Sequence, residues 1–274
     1  MFTELATIVQ QNGWLDMDQV ALDQMKRSFG ASESPTAGGG EVHVYLRSLF
    51  RRGGALYGIA RSTDDKRLFV VSHGAESLPV EGSAQGSGDV WVFTAPVTTR
   101  NAHALYELFP FTRPVSLRDR RTTIGMGDRL GVATAGHIRI ARQYELSPVL
   151  AQQSVRENDF IGREFSDVVA NAAWLVFQEG FTDGYGSDGD HLKTLEWIDV
   201  ALAAGMPMIT LDLTEVMRPE VADWSEEKIR AEFPKQVAGD LRERIAAEYA
   251  DRPFVLGDGV PDVVEEARVP AGEP

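Results

Sequence analysis

Apolar positions change their rhythm along this chain, and each change predicts a different kind of element. Residues 3–29 carry them at helical spacing, with Leu15, Val20, Leu22, Met25 and Phe29 on one face and a break near Asn12-Gly13. Ser32–Gly40 is rich in Ser, Pro and Gly and reads as a mobile linker. His43–Leu49, Leu56–Ile59, Arg67–Ser72 and Asp89–Pro96 then alternate or run apolar and read as strands, parted by Gly-rich turns such as Glu81–Gly88. Residues 1–115 are therefore expected to form a small α+β region.

From about residue 122 short apolar stretches alternate with helical ones. Thr122–Gly127, Gly131–Ala135, Pro148–Gln152 and Met208–Leu213 are the short stretches, and Phe165–Glu179 and Leu195–Ala204 are the helices. Such alternation predicts parallel β/α units, so the fold class is α/β, with residues 116–274 as a catalytic region like part of a TIM barrel. A closed eight-stranded barrel takes about 250 residues, more than follow residue 116, so the sheet is open or the region is incomplete. Trp174, Phe177, Trp197 and Leu202 lie at helical spacings and are expected in the core. Ser225–Tyr249 reads as charged helix, and Asp251–Pro274 as a Pro/Gly/Glu-rich tail without a final strand.

Composition narrows the function. With 274 residues, 43 % of them hydrophobic, the chain can bury a full core. It has no apolar run long enough to span a bilayer and no basic segment of a signal peptide, so the expectation is a cytoplasmic protein that does not enter membranes. It has no cysteine, which excludes disulfides, thiolate ligands and a cysteine nucleophile. A net charge of −14 argues against nucleic acid as a partner. An anionic small molecule remains compatible, because arginines such as Arg113, Arg118, Arg120, Arg121 and Arg129 can build a local positive pocket.

Three segments are chemically loaded. Gly184–Thr194 reads as a glycine-loosened loop in which Asp190 and His191 suit a divalent metal and Lys193 suits a carboxylate, a phosphate or a developing oxyanion. Gly125–Gly131 sets Asp128, a candidate base or metal ligand, beside Arg129, which can fork onto a substrate carboxylate; an internal ion pair closing a turn explains the same residues equally well. Pro148–Glu157 ends a buried strand in Gln152 and Gln153, amides able to orient hydroxyls, followed by Arg156 at a helix start; capping and loop hydrogen bonds are the alternative. Asp212, at the end of an apolar strand, suits either a ligand or a helix cap. His137 is a candidate substrate contact, whereas His43, His73 and His103 are assigned no role.

Taken in order, Gly-Met-Gly-Asp-Arg-Leu-Gly, Gly136-His137-Ile138, Ala-Gln-Gln-Ser-Val-Arg-Glu, Phe177-Gln178-Glu179-Gly180, Gly-Ser-Asp-Gly-Asp-His-Leu-Lys-Thr and Ile209-Thr210-Leu211-Asp212 resemble the tagaturonate/fructuronate epimerase family. The resemblance covers roughly residues 115–215 well. It implies a divalent-metal-dependent epimerase of hexuronate catabolism with a barrel-like catalytic domain, acting on a small anionic sugar acid. His191, Asp190 and Asp212 would then serve the metal, Asp128 and Lys193 proton transfer and oxyanion stabilisation, and Arg129, His137, Gln152, Gln153 and Arg156 the substrate. Members of the family are considerably longer, which implies a partial copy. The same inventory suits a metal-assisted aldolase or sugar isomerase, or a non-catalytic remnant, and a homo-oligomer is compatible with each.

Overall fold

The computed structural model describes residues 1–63 and 65–249. The chain divides into two compact units, Met1–Asp212 and Leu213–Pro274. The first opens with helices α1 (Phe2–Gln11) and α2 (Gln19–Arg27). They part at Asn12-Gly13, where Gly13 adopts a φ of +64° that a side chain would disfavour. Asp18 starts α2 by accepting the Ala21 N–H at 2.8 Å.

An antiparallel sheet follows, built from β1 (Thr36–Gly39), β2 (Val42–Tyr45), β3 (Phe50–Arg52), β4 (Ala55–Arg61), β5 (Lys66–Ser72), β6 (Ser83–Ser87) and β7 (Val90–Pro96). Its order is β1-β2-β4-β5-β7-β6, with β3 also on β4. The central strands are apolar on both faces because both are covered. Leu56, Phe69, Val71 and Val92 pack with Leu5, Val9 and Leu22 of α1 and α2. Tyr57, Leu68, Val70 and Phe93 pack with Leu105, Trp174 and Phe177 on the other side.

Two segments expected as irregular are strands. β1 lies in the expected linker and β6 in the expected turn, and both are edges of the sheet. Their small residues, Thr-Ala-Gly-Gly in β1 and Ser-Ala-Gln-Gly in β6, bury little, and the strands pair through their backbones, so no side-chain pattern announces them. The strand expected over His43–Leu49 ends at Tyr45 and tightens into a 3₁₀ turn at Leu46–Ser48.

After α3 (Thr99–Leu108) the chain forms β8 (Thr123–Gly125), α4 (Thr134–Gln143), β9 (Ser147–Ser154), α5 (Val155–Ile161), α6 (Phe165–Gln178), β10 (Gly186–Leu192), α7 (Leu195–Ala203) and β11 (Met208–Leu211). Strands β8 to β11 pair in sequence order, each parallel to the next. The fold is thus mixed α/β, with a sequentially wound parallel sheet compatible with part of a barrel beside an antiparallel one. Helix α6 joins the two sheets. Ala170, Trp174 and Phe177 enter the core of the antiparallel sheet, while Phe165, Val169, Ala172 and Val176 enter the core around β9 and β10. A helix apolar all round is buried all round.

The expected loop Gly184–Thr194 is mostly strand β10. Its glycines serve close packing, not looseness: a Cβ at Gly189 would stand 2.8 Å from Ala201 of α7 and 2.9 Å from Leu192. Of the four aromatic and leucine positions expected in the core, Trp174 and Phe177 are buried, but Trp197 and Leu202 on α7 are 37 % and 52 % exposed. In the second unit, α8 (Glu226–Gln236) is capped by Ser225 and followed by α9 (Gly239–Tyr249), in the stretch expected as charged helix. The expected tail Asp251–Pro274 lies outside the described residues. Among these, no helix is long and apolar enough to cross a membrane.

Candidate active site

Parallel strands present their carboxyl ends on one side of a sheet, and the chemically loaded residues collect there. In register, Gln152 of β9 lies beside Asp188 of β10, and Ser154 beside Asp190. The Gln152 side-chain amide donates to Asp188 Oδ2 at 3.0 Å, and the Thr210 hydroxyl of β11 donates to the same oxygen at 2.8 Å. One fully buried carboxylate therefore ties three adjacent strands, while its Oδ1 has no hydrogen-bond partner among the described residues. The sequence alone assigns Asp188 no role. Its recurrence two residues before Asp190, across a glycine, is the period of a strand and was the available signal.

A cleft of about 560 Å³ opens at the ends of β8, β9 and β10, lined by Asp128, Arg129, Gln152, Glu157 and Asp190 among others. A larger cavity of about 780 Å³, beside Tyr106, Phe165 and Trp197, lies among helices and contains no strand-end residue. The first alone gathers strand-end carboxylates, an amide and a guanidinium. Asp128 is buried and accepts from the amides of Val132 (3.0 Å), Ala133 (2.7 Å) and Thr134 (2.7 Å) and from the Thr134 hydroxyl (2.7 Å). Burial alone would raise its pKa, but the hydrogen bonds from Thr134, Val132 and Ala133 together outweigh it and hold the carboxyl below its ordinary value. A carboxylate so saturated fixes the start of α4 and is a weak base.

Arg129 is ion-paired with Glu157, a residue to which the sequence alone assigns no role. Glu157 also completes a capping box with Ser154 at the start of α5, so a helix terminus holds the Arg129 partner in place. Gln152 crosses close to β8: a Cβ on Gly125 would stand 2.5 Å from Gln152 Oε1. Because the Asp188 carboxylate can only accept, the Gln152 NH₂ must face it, which leaves the carbonyl oxygen as an acceptor over Gly125. Asp190, by contrast with Asp128, has a raised pKa, chiefly from burial, with the charges of Asp188 and Glu157 adding and that of His191 opposing.

His191 adopts a φ of +56°, rare for a residue with a side chain. Its ring lies between two carboxylates, with Nε2 3.8 Å from Asp190 and Nδ1 3.7 Å from Asp212, and Lys193 Nζ is 3.9 Å from the same Asp212 oxygen. Asp190, His191, Lys193 and Asp212 are thus brought together as a group. They do not fit a divalent metal as a complete set. The two ring nitrogens diverge, so one ion can meet one nitrogen and one of the two carboxylates; Asp128 and Glu157 are committed to α4, α5 and Arg129. No group of three or more His, Asp or Glu able to hold a metal occurs among the described residues.

Three expected residues lie elsewhere. Gln153 alternates to the opposite face of β9 from Gln152, where it is fully buried with neither amide atom paired among the described residues. Arg156 is exposed on α5, and His137 lies half-buried in α4 with Nδ1 lacking a partner among those residues. None of the three lines the cleft.

A sequentially wound parallel sheet with acids, an amide and a guanidinium at its carboxyl edge is the architecture of a β/α enzyme site. The chain belongs to the tagaturonate epimerase family, whose pattern matches residues 45–267. A tagaturonate/fructuronate epimerase of Thermotoga maritima is 32 % identical over 219 residues, 79 % of this chain and 44 % of the relative. The native crystal structure of the fructuronate-tagaturonate epimerase of Cohnella laeviribosi is 36 % identical with a TM-score of 0.66, over 79 % of this chain and 43 % of that one. A glycerol complex of the same enzyme gives 36 % and 0.65, over 78 % and 42 %. This chain therefore spans less than half the length of these relatives.

Proposed function

We propose that this chain carries the strand-end chemistry of a keto-hexuronate epimerase interconverting tagaturonate and fructuronate, and that β8 to β11 are four units of a larger β/α barrel. Family membership supports the substrate class. The two sugar acids differ at a hydroxyl-bearing carbon β to the ketone, so removing the proton α to the carbonyl does not invert it. Retro-aldol cleavage does. A base takes the β-hydroxyl proton, the bond between the α and β carbons breaks, and its electron pair becomes an enediolate while the β carbon becomes an aldehyde. Re-addition to the other aldehyde face, with return of the proton, completes the inversion.

The observation that carries this assignment is the place of Asp190 in the cleft, where burial raises its pKa and makes its carboxylate a better proton acceptor than the hydrogen-bond-saturated Asp128. Gln152 accepts from a substrate hydroxyl through Oε1. Arg129 meets the substrate carboxylate by exchanging its Glu157 partner for it. Lys193 stands beside Asp212, three residues along the chain from Asp190, and supplies a cation for a developing oxyanion. Incubation with tagaturonate in D₂O tests the reading. Fructuronate that keeps protium on the inverted carbon supports it, accumulating three-carbon fragments point to an aldolase, and a folded protein without turnover refutes it for this chain.

A further inference from the structure

We propose that the cleft between the antiparallel sheet and helices α4 and α6 is a second ligand site, built for a small hydroxylated acid anion. It measures about 490 Å³ and is lined by Ser34, Tyr45, Arg61, Lys66, Arg139 and Gln178, among others. None of these lines the strand-end cleft; Val132 is common to both. The proposal therefore does not rest on the epimerase reading.

The strongest observation is a pairing that the sheet alone does not favour. Arg61 and Lys66 are directly opposite each other where β4 meets β5, a cross-strand pair of like charges. Neither has a carboxylate partner among the described residues. Lys66 Nζ lies 5.5 Å from the centroid of the Tyr45 ring, and burial lowers its pKa, with Arg61 adding to the effect and Glu179 opposing it. Arg139 reaches into the same cleft from α4. Its nearest carboxylate oxygen is Glu179 Oε2, at 3.7 Å, and its Nε is buried without a hydrogen-bond partner among the described residues.

Charge is unbalanced here against the trend of the chain. Glu179, fully buried, acts on Arg47, Lys66, Arg139 and Arg142; among the described residues Glu33 also acts on Arg47 and Asp183 on Arg142, and Arg61 adds a further cation beside Lys66. Arg47 and Arg142 spend their donors on backbone carbonyls, which leaves Arg61, Lys66 and Arg139 to face the cleft. A local cationic excess in a protein of net charge −14 calls for an oxyanion. Gln178 adds the second half of the recognition. Its NH₂ donates to Glu179 at 3.0 Å while its Oε1 is buried without a partner among the described residues, an acceptor waiting for a hydroxyl.

Calorimetric titration of the full chain tests the site, with inorganic phosphate as a probe of charge alone and D-galacturonate as a probe of charge with hydroxyls. Saturable binding of one or both is expected, weakened at least tenfold in Arg61→Gln and in Lys66→Gln and restored in Lys66→Arg. Arg61 is exposed, so its variant keeps the fold, as an unchanged Tm verifies. Binding of phosphate alone would mark a phosphorylated ligand, and tighter binding of galacturonate a sugar acid. No saturable binding of either, or binding equal in the wild type and both glutamine variants, overturns the proposal.

Discussion

The side-chain amide of Gln152 donates to the buried carboxylate of Asp188 at 3.0 Å, and this one bond decides which end of the amide is left to the strand-end cleft. Replacing Asp188 by Asn removes the acceptor-only partner and lets the Gln152 amide turn over. Because the variant is nearly isosteric, it is expected to fold. Its kcat/KM for tagaturonate should fall by roughly tenfold or more, the scale of one misdirected buried hydrogen bond at about 1–3 kcal/mol. Steady-state kinetics beside a urea melt would check this; unchanged kinetics in a folded variant would count against the amide's role.

Asp128 holds the first turn of α4 through four hydrogen bonds. Asp128→Ala is expected to cost about 1–2 kcal/mol of stability, measurable as a lower urea midpoint. The sign of its pH dependence follows from its lowered pKa. The stabilisation is fully present above the unfolded carboxyl value of 3.8 and is lost as pH falls through the lower folded value. The gap between wild type and Asp128→Ala should therefore stay constant above pH 3.8 and shrink as pH falls from 3.8 through the folded value.

Asp190 makes the opposite case. Its folded pKa is raised, so its ionisation opposes folding, and the loss of stability grows as pH rises from the unfolded value through the folded one. Asp190→Asn should melt at a higher temperature than the wild type at neutral pH and at a similar one in acid. A variant that is less stable at neutral pH would show that the carboxylate is held by favourable contacts, and would weaken its assignment as the proton-transfer group.

Divalent metal binding by this chain should be weak, because the geometry around His191 gives one ion a single nitrogen and a single carboxylate. Titration with Zn²⁺ or Mn²⁺ is expected to show no tight site that depends on His191. Submicromolar binding abolished by His191→Ala would contradict this and restore the metal set Asp190, His191 and Asp212 expected from the sequence.

The alternation of short apolar stretches and helices was legible because buried parallel strands and their covering helices each leave a strong periodic record, as at Pro148–Gln152 and Phe165–Glu179. β10 leaves no apolar record, only the alternation of Asp188 and Asp190. Its Gly-Ser-Asp-Gly-Asp-His reads locally as a loop, and only the contact of Gly189 with Ala201 shows that the glycines admit a helix against a strand. The site's residue types were visible, but not which carboxylate does what. Asp128 and Asp190 differ through backbone amides and burial that appear only when α4 and β10 are folded beside one another. Gln153 was grouped with Gln152 because the two are neighbours in sequence, yet a strand sends neighbours to opposite faces.

The central claim is that the cleft at the ends of β8, β9 and β10 epimerises a keto-hexuronate with Asp190 as its proton-transfer group. Proton NMR of tagaturonate incubated with the wild-type chain and with Asp190→Asn tests it most directly. The account expects fructuronate to appear with the wild type and to form roughly 10²- to 10⁴-fold more slowly with the variant. Equal rates in the two proteins, or no fructuronate from well-folded wild type, would contradict it.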